Sequence, residues 1–127
     1  MYTNSNELFG GRTTVKKIVH NKLVRDYIPE IIEEDHKQCK IHVLTNEQYI
    51  VELKKKLREE AREVQEAVDK IETIKEIADV LEVLDALKTV CGISDEEVQV
   101  IKEKKAMKNG KFEKKIFLEY VLEDIDK

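Results

Sequence analysis

Residues 53–87 read LKKKLREEAREVQEAVDKIETIKEIADVLEVLDAL. Within them Leu53, Leu57, Glu60, Val64, Ala67 and Ile71 recur at steps of four and three, the spacing of one face of an α-helix. Glu60 thus takes a slot that packing would give to leucine, and a carboxylate held there needs a cation. Glu63 follows on the same helix face, about 5–6 Å away between Cβ atoms, and Glu76 and Asp79 repeat the relation on the next helical segment. Two such pairs facing each other make an oxygen-lined cage. Beyond Asp79, the residues Val80, Leu81, Val83, Leu84, Ala86, Leu87 and Val90 surround most of the helix. Such a helix is buried on several sides. A monomer of 127 residues has trouble covering it, so one face is expected to meet another subunit.

Punctuation residues set the flanking elements. Thr45 and Gln48 form a capping box that opens the first long helix, expected to run to about Lys70. A turn over 69–73 leads to the second, which runs to Cys91 and stops at Gly92. Ser94 and Glu97 form another capping box, for a helix through about Asn109 that Gly110 ends. Upstream, Asp26 is expected to cap a short helix to about Asp35, with Pro29 in its first turn and Ile28, Ile31 and Ile32 on its apolar face. Residues 39–44 and 116–121 alternate like strands and are expected to pair as a ribbon packed on the helices. Residues 1–19, rich in Asn, Thr, Ser and Gly, read as a flexible or loosely docked N-terminal arm, with structure beginning near His20. The expected fold is mainly α: one domain over 20–127, a bundle of about four helices with a small two-stranded β ribbon.

Composition narrows the function. The 27 acidic and 23 basic residues give a net charge of −4 and are interleaved along the chain. A nucleic-acid binder normally shows a basic stripe or a markedly basic pI, so no nucleic-acid partner is expected. No apolar run approaches the ~20 residues that span a bilayer, and the first residues lack the apolar core of a signal peptide. A soluble, cytoplasmic protein with no membrane partner is expected. Cys39 and Cys91 are too few for a disulfide framework. His36, Cys39 and His42 suggest zinc, but no fourth His or Cys is near, and a strand would send this spacing to opposite faces. Glycine-rich phosphate loops are absent.

Charged residues make up 39% of the chain, so acids at a spacing of three are expected by chance. Glu59, Glu66, Glu72, Glu82 and Asp85 lie on the same helices, and Glu82 with Asp85 repeats the second half of the pattern as a decoy. Position distinguishes the four: carboxylates gathered in a partly buried site repel by about 4 kcal/mol per pair at 4 Å and an effective dielectric near 20. A cation or a proton relieves that. All-oxygen ligation favours Mg²⁺, or Mn²⁺, over zinc. Mg²⁺ usually meets substrate phosphates through its remaining positions, which points to phosphate-ester or phosphoanhydride chemistry. Basic residues should then stand near the cage. Lys22 and Arg25 qualify before the first helix, and Lys104, Lys105, Lys108 and Lys111 around the end of the fourth. Lys22, Arg25, Lys108 and Lys111 are the candidates for substrate binding, Arg25 the best suited because its planar fork grips phosphate bidentately.

With KLREEAREVQEA at 56–67, EIADVLEVLDAL at 76–87, NKLVRDYIPEII at 21–32 and NGKFEKKIFLEYV at 109–121, the chain resembles the MazG-like, all-α nucleoside triphosphate pyrophosphohydrolases. These are relatives of phosphoribosyl-ATP pyrophosphohydrolase and of dimeric dUTPases; the outer two segments look like the house-cleaning subgroup. The match runs from about residue 20 to the end, with a gap of 12 residues between the acid pairs, at the short limit for the family. The resemblance implies a dimeric or tetrameric helical enzyme. It would cleave an NTP or dNTP, standard or non-canonical, between the α and β phosphates to give a nucleoside monophosphate and pyrophosphate. Mg²⁺ is the implied cofactor, Glu60, Glu63, Glu76 and Asp79 its ligands, and Glu60 and Glu63 the catalytic pair. The subgroup usually has lysine where this chain has Tyr27, which removes a basic contact. Two alternatives stand beside this expectation: hydrolysis of phosphoribosyl-ATP in histidine biosynthesis, and a non-catalytic helical regulatory or assembly module.

Overall fold

A computed structural model describes residues 3–9 and 13–126. The chain divides into two compact units, Met1–Cys91 and Gly92–Lys127.

The first unit opens with strands β1 (Thr3–Phe9) and β2 (Thr13–Val19), which pair antiparallel from Thr3 opposite Val19 to Phe9 opposite Thr13. Regular structure therefore begins well before His20, inside the segment expected to be an arm. Five of the seven β2 residues, Thr13, Thr14, Val15, Ile18 and Val19, are β-branched and fit a pleated surface. Helix α1 covers Ile28–Glu34. Its N-cap is Tyr27, which makes no side-chain cap bond, so Asp26 does not cap this helix; Pro29 sits at its start, where a missing N–H costs little.

Helix α2 (Asn46–Glu66) begins at the expected capping box, with Thr45 Oγ1 accepting from the Gln48 amide at 3.2 Å and Gln48 Oε1 accepting from the Thr45 amide at 3.2 Å. It stops four residues short of Lys70. Three residues later α3 (Lys70–Val90) starts on Asp69, whose carboxylate accepts from the Glu72 amide at 2.8 Å. Two helices of 21 residues joined by so short a link and packed on each other form an αα-hairpin. Its packed seam contains Leu53 (3% exposed), Val83 (8%) and, on the same stripe as Leu53, Glu60 (6%). Ile71, the last member of that sequence row, belongs to α3 and is exposed. So are Ile74, Ile77 and Leu81, which extend Ile71 into one uncovered apolar row.

The second unit holds α4 (Asp95–Asn109), opened by the Ser94 and Glu97 capping box and ended at Gly110, whose φ of 80° suits glycine. The expected ribbon is not formed: among the described residues the one strand pair is β1 with β2, and 39–44 and 116–121 are irregular. The mainly helical fold with four helices stands; the ribbon lies elsewhere. Among the described residues no helix is long and apolar enough to cross a membrane.

Candidate metal centre

The αα-hairpin explains why four acids meet. In an antiparallel pair, positions equidistant from the turn face each other. Glu60 precedes Asp79 by 19 positions and Glu63 precedes Glu76 by 13, and the two intervals share one centre, between Asp69 and Lys70. That centre lies where α3 begins. The two acid pairs are therefore concentric about the turn. Caps hold the turn in register: Asp69 binds the Glu72 amide, Glu72 Oε2 accepts from the Val68 amide at 3.3 Å, and the Thr73 hydroxyl donates to the Asp69 carbonyl at 2.7 Å.

Glu60, Glu63, Glu76 and Asp79 each offer one oxygen, and these atoms all lie within 4.8 Å of one another. It is the one such group of His, Cys, Asp or Glu among the described residues. Oxygens on a single octahedral Mg²⁺, at about 2.1 Å from the ion, are about 3.0–4.2 Å apart. Glu60 is buried and the other three are half-buried.

Two cations touch the cluster. Lys56 Nζ is 3.5 Å from Glu60 Oε1, one helical turn away on α2, and Arg25 Nη2 donates to Asp79 Oδ1 at 2.7 Å. These two cations compensate the four carboxylates only in part, since Lys56 is shared with Glu59 and Arg25 with Glu82. Glu60 Oε2 and Glu76 Oε2 are both shut off from solvent with no hydrogen-bond partner. Unpaired buried carboxylate oxygens are costly, and both belong to residues of the four-acid group. The donor set therefore fits a hard divalent cation. Glu60 also has its pKa raised above the ordinary value of 4.5, first by burial, then by a side-chain hydrogen bond to Glu63 and by the charge of Glu63. Asp79 adds to the rise and Lys56 opposes it.

The structure brings one of the four expected substrate-binding residues to this cluster and a second to the acid beside it in sequence. Arg25 reaches Asp79, and Lys22 Nζ lies 4.0 Å from Glu59 Oε1, beside Glu60 in sequence. Lys108 and Lys111 belong to the second unit, in the last turn of α4 and just beyond Gly110. Two contributors were missed in the sequence. Lys56 stands four residues before Glu60, a spacing that signals an ion pair on any helix. Glu82, set aside as a decoy, holds the other arm of Arg25, Nη1 to Oε1 at 3.8 Å. Glu59, half-buried, forms ion pairs with Lys22 and, at 3.9 Å, with Lys56.

Compared with known proteins, the chain matches no family model, no curated protein and no solved structure.

Proposed function

We propose that this protein is a Mg²⁺-dependent nucleoside triphosphate pyrophosphohydrolase, of the MazG-like kind that its sequence resembles, releasing a nucleoside monophosphate and pyrophosphate. One observation carries the proposal most: a glutamate 6% exposed, with an orphaned oxygen, inside a four-carboxylate cluster that has an arginine at its edge. An oxygen-only site whose carboxylates outnumber the cations beside them suits Mg²⁺ or Mn²⁺. The ion, when bound, neutralises phosphate charge and lowers the pKa of coordinated water. Glu60, Glu63, Glu76 and Asp79 would hold it. Glu60 and Glu63 would also take the proton of an attacking water. Arg25 and Lys22 supply positive charge for phosphate oxygens at the rim, and catalysis consists of positioning and charge neutralisation. The uncovered row Ile71, Ile74, Ile77 and Leu81 on α3 supports a homodimer or homotetramer as the working form.

The test is incubation with a panel of NTPs and dNTPs and Mg²⁺, scoring pyrophosphate and the mass of the second product. Wild type should release pyrophosphate, and Glu63→Gln should lose at least about a hundred-fold in kcat, as expected when a charged group of a metal site is neutralised. Equal inertness of both proteins across the panel overturns the proposal.

A further inference from the structure

Arg25 divides its guanidinium between two acids one helical turn apart on α3: Nη2 on Asp79 at 2.7 Å and Nη1 near Glu82 at 3.8 Å. The other cation of the cluster, Lys56, rises from the same helix as its partner Glu60 and is 21% exposed, so it stays where α2 puts it. Arg25 is different. It lies in the irregular stretch between β2 and α1, and its side chain is 58% exposed. Its backbone is tied down, the carbonyl accepting from the Ile28 amide at 3.1 Å, while the side chain is held by those two ion pairs alone among the contacts described. A guanidinium does not lose its proton in proteins, so this is a permanent charge on a movable stem. Asp79 meanwhile contributes one of the four clustered oxygens.

Resting on the pyrophosphohydrolase assignment, we propose that Arg25 is the resident counter-ion of Asp79 in the metal-free protein and is released toward substrate phosphate when a divalent cation takes its place. The same positive charge then serves two states. Before loading, it relieves the repulsion among the carboxylates. After loading, Asp79 is neutralised by the ion, the guanidinium is repelled, and Glu82 keeps it at the rim within reach of an anion. Arg25 is in this sense a positioning residue for loading as well as a phosphate contact. The arrangement has a consequence that a plain phosphate-binding arginine lacks: Arg25 competes with the metal.

Calorimetric titration of Mn²⁺ alone into wild type, Arg25→Gln and Lys22→Gln tests this. Lys22→Gln removes an equal charge from beside Glu59, which is outside the four-oxygen group, and so measures the general field. Arg25→Gln should bind Mn²⁺ roughly two- to five-fold tighter than wild type, the worth of a partly exposed ion pair, and tighter than Lys22→Gln does. If Arg25→Gln tightens no more than Lys22→Gln, while wild type binds Mn²⁺, the counter-ion proposal is overturned and the metal centre stands. If wild type takes up no Mn²⁺, both are overturned. Unmutated protein gives a second readout. The contact between the Arg25 guanidinium and Asp79, seen by side-chain NMR in EDTA, should be lost at saturating Mg²⁺; its persistence overturns the proposal.

Discussion

Replacing Glu60 by glutamine should make the metal-free protein more stable at pH 8. Ionised Glu60 is opposed by burial, by Glu63 and by Asp79, and favoured by Lys56. At an effective dielectric near 20, each carboxylate pair at 4–5 Å repels by about 3–4 kcal/mol, and the Lys56 contact returns a similar amount. One repulsion is left unbalanced. Water at the half-buried Glu63 and Asp79 screens it, leaving about 1–2 kcal/mol. The glutamine amide removes the charge and supplies donors for those neighbours. At about 3–5 °C per kcal/mol for a chain of this size, Tm should rise by about 3–10 °C. The pH dependence has a definite sign. A carboxyl whose folded-state pKa lies above 4.5 binds more protons folded than unfolded, so wild type loses stability as pH rises from 4.5 through the raised value. Below pH 4.5 both states are protonated and the two proteins should converge; the gap opens above it. Mg²⁺ at ten times its Kd should add about 1.4 kcal/mol to wild type by mass action and far less to the variant. Thermal melts followed by circular dichroism at pH 4.5 and pH 8, with EDTA and with Mg²⁺, measure all of this. A cooperatively folded Glu60→Gln that melts below wild type at pH 8 in EDTA, or gains as much from Mg²⁺, refutes the account of Glu60 as a site for a cation.

Leu81→Glu places a charge in the uncovered row of α3, 55% exposed and away from the cluster, and should shift light-scattering mass toward the monomer with helicity retained; an unchanged mass removes α3 from the interface. Thr45→Ala deletes one half of the capping box of α2 and should cost about 1 kcal/mol, or about 3–5 °C in Tm, in thermal melts. No loss would mean the Gln48 bond to the Thr45 amide holds the helix start alone.

Local signals in the sequence carried the helices. Both capping boxes and the stops at Gly92 and Gly110 act within four residues, so they can be read without knowing any partner. The acid set was legible for a related reason: Glu60 breaks an apolar stripe, and its burial follows from that stripe. Strand pairing is not local. Residues 39–44 and 116–121 alternate, but alternation says nothing of whether a second strand arrives, and none does. The β1–β2 pair had a nearer signal, Gly10-Gly11 between an Asn- and Thr-rich stretch and the β-branched run 13–19, outweighed by polar composition. Asp26 misled because Asp before a proline-containing turn is a common cap, whereas α1 starts one residue later on Tyr27. The link of Arg25 to both Asp79 and Glu82 spans 54 and 57 positions, and no spacing rule reaches that far.

The three-residue link between α2 and α3 also determines when in folding the acids meet. Closing so short a loop costs little chain entropy, and helix hairpins rich in local contacts form in microseconds to milliseconds. Yet this quickest of steps is also the one that gathers four like charges. Hairpin closure should therefore be limited by electrostatic work rather than by chain search, so that its rate rises with ionic strength and rises more with a divalent ion at equal ionic strength. All four acids belong to α2 and α3 and so precede α4 along the chain.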